Sequence, residues 1–180
     1  NRSSGYRNST DTLIGTRDIS SNGQTTFSDL STGTYGVAEY APRRYYQTSD
    51  GHNIRYSRNT PSGWSYGGYD SATDSDIYYK TFTITADDLG GGVSYSLQNS
   101  VGSGGLNVTK SAPSGDGFDI TDVTFELYYD VNSDKAIDSS DYLVSEGAVA
   151  AGGNVSWDKP INILPTGDYI IRESWSSESI

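Results

Sequence analysis

The chain has 180 residues, with 23 acidic against 12 basic side chains and a formal net charge of −11. It contains no cysteine, which excludes disulfides and thiolate metal sites, and its negative charge argues against a nucleic-acid partner. A mean hydropathy of −0.58 without a long apolar run argues against insertion into a membrane.

Short segments rich in β-branched and aromatic residues, separated by turn signals, predict an all-β chain. Turn signals include Asn22-Gly23, the glycines at 90–92 and Pro165-Thr166-Gly167. Segment 41–76 is less regular and is expected to be a long excursion containing a hairpin. Many short strands with frequent turns favour a β-sandwich. In chain order, the predicted strands lie near 12–17, 24–29, 34–40, 77–86, 93–99, 105–110, 119–129, 142–146 and 168–174.

An internal repeat sets the predicted domain organisation. Residues 32–39 and 166–173 share the pattern Thr-Gly-x-Tyr-x-x-x-Glu at an offset of 134, and residues 11–15 resemble 141–145. Self-similarity of this kind predicts homologous modules in tandem. We expect a partial sandwich module over 1–101 that lacks its N-terminal strands, a linker over 102–105, and a partial module over 106–180 that lacks one or more C-terminal strands.

In four predicted strands, the alternate residues that share one face are apolar until the last of them, which is a charged or amide side chain. Because alternate residues of a strand share a face, these side chains point to the same side as residues that face the core. The four are Glu39 after Tyr35 and Val37, Asn99 after Val93, Tyr95 and Leu97, Lys110 after Leu106 and Val108, and Glu173 after Tyr169 and Ile171.

Burial of these side chains would favour a specific reaction. Desolvation lowers the pKa of a lysine and raises that of a glutamic acid, and a neutral lysine amine is a competent nucleophile towards an asparagine carboxamide. The product is a Lys–Asn isopeptide bond, formed once with loss of ammonia. By analogy with a disulfide that closes a loop of about 100 residues, it would add several kcal/mol of stability. The alternative is that each charged residue marks only the point where its strand leaves the core.

The sequences at 105–110, 123–130 and 167–173, GLNVTK, VTFELYYD and GDYIIRE, resemble a Cna B-type domain. Such domains are the prealbumin-like, Ig-like β-sandwich modules of Gram-positive pilins and adhesin stalks. The resemblance implies an isopeptide site made of a first-strand lysine, the glutamate of the Tyr-x-x-x-Glu pattern and a last-strand asparagine. Lys110 and Glu173 would then belong to the second module, and Glu39 and Asn99 to the first.

No complete trio from one module therefore lies within the sequence, and three alternatives remain open. The missing partners lie in neighbouring sequence, or in another copy of the chain. The third alternative is a permuted domain, in which Lys110 meets Glu39 and Asn99.

Residues 130–141 have the ligand spacing of an EF-hand-type calcium loop. Two departures are Lys135 at position 6, where glycine would avoid strain in a left-handed turn, and an aspartate rather than a glutamate at position 12. Similar loops occur in the B repeats of serine-aspartate-repeat surface proteins; the alternative is a solvated acidic hairpin. The predicted Ca²⁺ ligands are Asp130, Asn132, Asp134, the Ala136 carbonyl, Asp138 and Asp141.

Aromatic side chains are concentrated between residues 44 and 79. Rigid aromatics among serine and glycine are typical of adaptable binding loops, although packing against the sandwich is the alternative. The candidate ligand-binding residues are Tyr45, Tyr46, Trp64, Tyr66 and Tyr69.

The sequence contains no nucleophile elbow, HExxH motif or phosphate-binding loop, so we expect no enzyme beyond single-turnover isopeptide formation. The predicted function is a structural repeat of a stalk or filament at the cell surface, hardened by calcium and isopeptide bonds. Its partners would be neighbouring repeats or copies of itself. The alternative is an adhesin module that binds a host matrix protein or a glycan through the aromatic segment.

Overall fold

The computed structural model of the protein describes residues 9–112 and 119–175. The chain is nearly all-β, as predicted, with single 3-10 turns at Ala86–Asp88 and Ile120–Asp122. It forms two compact units: the first comprises the described residues of Asn1–Arg43 and Asn59–Ser100, and the second those of Arg44–Arg58 and Val101–Ile180. In chain order the strands are β1 (Gly33–Pro42), β2 (Tyr45–Gln47), β3 (Asn53–Arg55), β4 (Ser65–Asp70), β5 (Ser75–Ile84), β6 (Ser103–Gly104), β7 (Val123–Tyr129), β8 (Tyr142–Val149), β9 (Val155–Trp157), β10 (Leu164–Pro165) and β11 (Tyr169–Trp175).

The first unit is built on a three-stranded antiparallel sheet in the order β1-β5-β4. The central strand supplies its most buried apolar side chains, Ile77 and Tyr78, at 1% and 2% exposure. The pairing of β4 with β5 has a register shift between Tyr66 and Gly68. The β1–β5 register is unbroken and places Tyr35 opposite Phe82.

The second unit contains a four-stranded antiparallel sheet in the order β11-β7-β8-β9. Along β7 every second residue from Val123 to Leu127 is buried, and β8 alternates in the same way from Ser145 to Val149, as expected for a sheet with one face on a core. The core is a cluster around Leu127 and Val144 in which Tyr46 and Ile54 take part. A smaller cluster joins Val123, Phe125 and Val149.

Tyr46 and Ile54 belong to the β2–β3 hairpin, which the sequence assigned to the first module and which packs within the second unit. They are directly opposite each other across the hairpin and are 5% and 4% exposed. Burying these two side chains against the Leu127–Val144 cluster explains why residues 44–58 group with 101–180.

Four predicted strands, near 12–17, 24–29, 93–99 and 105–110, are not regular strands. Leu13 and Ile14 are each 61% exposed, because the described residues provide no strand to pair with this segment. Within segments 93–99 and 105–110, individual residues contact neighbouring segments without forming a ladder of strand hydrogen bonds. The Trp64 indole donates to the Ser96 carbonyl, and the Lys110 amide donates to the Gly153 carbonyl.

The two copies of the Tyr-x-x-x-Glu repeat share a local structure. In the first unit the Tyr35 hydroxyl donates to the Ser31 carbonyl at 2.8 Å, and in the second the Tyr169 hydroxyl donates to the Pro165 carbonyl at 2.8 Å. Ser31 and Pro165 occupy equivalent positions of the repeat. Each tyrosine thus ties the entry of its strand to the preceding turn, as a tyrosine corner does in β-sandwich domains.

Candidate functional site

In the first unit, the structure brings Glu39 and Asn99 together. Glu39 points to the same face of β1 as Tyr35, and it lies directly opposite Tyr78 of β5. The Asn99 side-chain nitrogen Nδ2 donates to both carboxylate oxygens, at 2.9 Å from Oε1 and 3.1 Å from Oε2. The leaving nitrogen of the predicted reaction therefore already contacts the group that would move protons.

In the second unit, the structure brings Lys110 and Glu173 together. Lys110 Nζ lies 2.7 Å from Glu173 Oε1. Glu173 is opposite Phe125, on the inner face of β11, which is an edge strand of the sheet among the described residues. At this edge the two side chains are 22% and 38% exposed, so they are less buried than the stripe pattern predicts.

Each unit thus pairs the glutamate of its repeat with a side-chain nitrogen from an extended segment. The nitrogen is an amide in one unit and an amine in the other. Because Asn99 and Lys110 belong to different units, neither unit contains a complete trio of the four predicted residues. The partner from neighbouring sequence, the partner from another copy and the permuted domain all remain predictions.

The loop 130–141, which we call the acidic loop, connects β7 to β8 and is anchored by two buried carboxylates at its base. Asp130 is 3% and Asp141 is 9% exposed. Asp130 accepts hydrogen bonds from the backbone amides of Asp134 and Lys135, and Asp141 accepts them from Val131 and Asp138. These bonds hold the two ends of the loop together.

The exposed carboxylates of the acidic loop bind local backbone amides. Asp134 accepts from the Ala136 amide at 2.8 Å, and hydrogen bonds from the hydroxyl and amide of Ser140 lower the pKa of Asp138. Lys135 has φ 65°, so position 6 adopts the left-handed turn that the calcium-loop spacing requires. Over residues 9–112 and 119–175, no three acidic or histidine side chains converge as a metal site would require. The left-handed turn at Lys135 is the backbone conformation that a calcium loop has at position 6, whereas the carboxylates of Asp134 and Asp138 accept hydrogen bonds from the nearby backbone amides of Ala136 and Ser140.

Asp168 is a residue at the acidic loop that the sequence analysis missed. Its carboxylate accepts a hydrogen bond from the Ser133 hydroxyl at 2.7 Å, and its carbonyl accepts one from the Asp130 amide at 3.0 Å. A signal was present in the repeat, because Asp168 stands where the first copy has Thr34. Of the two copies of the repeat, only the second has an aspartate at this position, and it is the second copy that contacts the acidic loop.

The five candidate ligand-binding aromatics divide between the two units. Tyr46 is a core residue of the second unit, and its hydroxyl donates to the Pro160 carbonyl at 3.1 Å. Tyr45, on the same hairpin, is 43% exposed. In the first unit, Tyr66 and Tyr69 lie opposite Tyr78 and Asp76, which places both on one face of β4 because of the bulge between them. They are 51% and 46% exposed, whereas Trp64 is half-buried.

Comparison of the chain with family models, curated proteins and solved structures gives no match. In the described residues, no helix has the length and apolar character needed to cross a bilayer.

Proposed function

We propose that the chain is a load-bearing repeat of a cell-surface stalk or filament, built of β-sandwich modules and hardened by calcium and isopeptide chemistry. The observation that supports this most is the same arrangement in both units. The repeated glutamates Glu39 and Glu173 each hold a side-chain nitrogen from a distant segment, Asn99 or Lys110. The resemblance to Cna B-type domains gives the same function.

Both devices would resist force for a physical reason. A covalent bond between distant segments removes the chain between them from extension under load. A cation bound by the acidic loop would hold the end of β7 against the start of β8. Calcium takes about six to eight oxygen ligands from a flexible loop, and the carboxylates of Asp130, Asp134, Asp138 and Asp141 with Asn132 supply them.

Force spectroscopy on the chain, tethered at its two ends, tests the proposal. With excess Ca²⁺ we expect the unfolding force of the second unit to rise clearly above its value in EDTA. Asp134→Asn should abolish that rise. Asp87→Asn, which changes an exposed carboxylate in the 3-10 turn of the first unit, is the matched control and should retain it. Equal unfolding forces with and without calcium, together with low forces for both units, would contradict a mechanical role.

A second candidate function is supported by the exposed pair Tyr66 and Tyr69. Two tyrosines on one sheet face provide a flat amphipathic surface that suits a sugar or a protein ligand. One ring face of Tyr69 is already covered by the Arg43 guanidinium, 3.6 Å from its centroid. An array of glycans and matrix proteins checks this function: binding that disappears in Tyr66→Ala but persists in Tyr45→Ala supports a ligand-binding module.

A further inference from the structure

We propose that Lys80 is the nucleophile of the first unit, forming an isopeptide bond with Asn99 while Glu39 moves the protons. This inference rests on the proposed isopeptide chemistry, but it completes the trio from within one unit. Neither the repeat nor the resemblance to Cna B-type domains points to Lys80, because it lies on β5 and not on a first strand.

Strand register places Lys80 on the same face as Glu39. Lys80 is opposite Val37, and Tyr78 is opposite Glu39, in the antiparallel pair β1–β5. Side chains directly opposite each other lie on one face, and those two positions further along remain on it. Lys80 and Glu39 are therefore diagonal neighbours, with Cβ atoms on the order of 7 Å apart, within the reach of a long side chain.

The segment that contains Asn99 crosses this same face. Tyr95 contacts Phe82, with ring centroids 5.1 Å apart, and Asn99 contacts Glu39. The segment between them therefore runs past the position of Lys80. Lys80 Nζ lies 4.9 Å from the centroid of the Tyr95 ring and donates to the Gly63 carbonyl at 3.2 Å. Its side chain is half-buried between two aromatic residues of β5, Tyr78 and Phe82.

The reaction balances without any other reactant. The Lys80 ammonium gives a proton to the Glu39 carboxylate, and the neutral amine attacks Asn99 Cγ. The protonated Glu39 gives its proton to the departing nitrogen Nδ2, the bond between Cγ and Nδ2 breaks, and ammonia leaves. The lysine nitrogen, now bonded to Cγ, releases its second proton to the Glu39 carboxylate and becomes the amide nitrogen of the isopeptide bond. Glu39 is already within 3.1 Å of that nitrogen through both oxygens. The amine must leave Gly63 and rotate along the sheet face to reach Cγ.

Intact mass and peptide mapping of the purified 180-residue chain test the assignment. We expect a mass about 17 Da below that of the sequence, the loss of one ammonia, and a cross-linked peptide that joins Lys80 to Asn99. Lys80→Arg, which keeps the charge, and Asn99→Ala should each restore the full mass. Lys110→Arg is the matched control and should keep the deficit.

The outcomes separate this inference from the proposed function. If the mass deficit persists in Lys80→Arg and disappears in Lys110→Arg, Lys80 is not the nucleophile, but an isopeptide bond still forms in the chain. Full mass in the unaltered chain overturns the Lys80 bond, whereas the calcium-dependent unfolding force is measured independently. Because the cross-linked peptide is sought in the unaltered chain, poor folding of a variant does not obscure the result.

Discussion

Replacing Asp130 by asparagine separates the structural role of the acidic loop from its proposed calcium binding. The Asp130 carboxylate is 3% exposed and accepts two backbone N–H groups, from Asp134 at 3.2 Å and from Lys135 at 2.9 Å. An asparagine offers one acceptor oxygen and turns its NH₂ group towards the second donor. The loss is one charge-assisted hydrogen bond plus a buried unpaired donor, so we expect Asp130→Asn to lower the free energy of unfolding by about 2–3 kcal/mol in EDTA.

Asp134→Asn is the contrasting change, because Asp134 is exposed and an asparagine can still accept from Ala136. In EDTA it should cost no more than about 0.5 kcal/mol. With Ca²⁺ at about 100 times its dissociation constant, the unaltered chain should gain about 2.7 kcal/mol, and both variants should lose most of that gain.

Urea denaturation followed by tryptophan fluorescence, in EDTA and in excess Ca²⁺, measures both effects. If both variants lower the free energy of unfolding in EDTA by the same amount, the hydrogen bonds of Asp130 do not stabilise the base of the acidic loop as argued. A full calcium-dependent gain in Asp134→Asn would refute the assignment of the ligands.

Three further predictions concern the second unit. Gly147→Ala should lower its thermal midpoint by the equivalent of about 1–3 kcal/mol, because the new Cβ would lie 2.5 Å from a methyl of Val155, whereas Gly36→Ala meets nothing within 4 Å and should be near neutral. Burial alone would raise the pKa of Asp50, but hydrogen bonds from neighbouring side chains and backbone amides outweigh burial and lower that pKa. The ionised Asp50 therefore stabilises the fold at pH values above the ordinary aspartate pKa, and this stabilisation is lost as the pH falls through the lower pKa of the folded state. Asp50→Asn should accordingly flatten the acid limb of a curve of unfolding free energy against pH. Burial raises the pKa of Tyr46 to about 12, so its stabilisation is complete below the ordinary tyrosine pKa and is lost as pH rises through the folded value. Tyr46→Phe should remove this alkaline loss, measured by chemical denaturation across the alkaline range.

The strands that the sequence predicted correctly are those whose pattern reflects pairing within one unit. Segment 34–40 alternates clearly and falls within β1, and segment 168–174 alternates clearly and overlaps β11 from Tyr169 onwards. The segments near 12–17 and 93–99 alternate as well, but alternation identifies a face and not a partner strand. Without a partner, the backbone groups of a strand have no ladder of hydrogen bonds to join.

The packing of the β2–β3 hairpin in the second unit could not be predicted from the sequence for a related reason. Its strands are three residues long, too short for a periodic pattern. What fixes the hairpin is the burial of Tyr46 and Ile54 against Leu127 and Val144, residues far away in the chain. Such non-local contacts leave no trace in the local pattern of residues 44–58. At Lys135 the local pattern was informative but incomplete. The sequence marked position 6 as the place where a left-handed turn would strain a non-glycine residue, and the backbone adopts that turn with lysine.

The two copies of the repeat show which part of the pattern the fold requires and which part can vary. Both copies keep the tyrosine corner and the glutamate four residues later, so these define the strand. The nitrogen that covers the glutamate differs, an amide from Asn99 in one copy and an amine from Lys110 in the other. A carboxylate on the inner face of a sheet is costly unless a donor reaches it, and each unit solves this with a different extended segment. The glutamate is therefore the fixed element of the arrangement, and the chemistry available to each unit depends on which nitrogen donor its fold brings to that carboxylate.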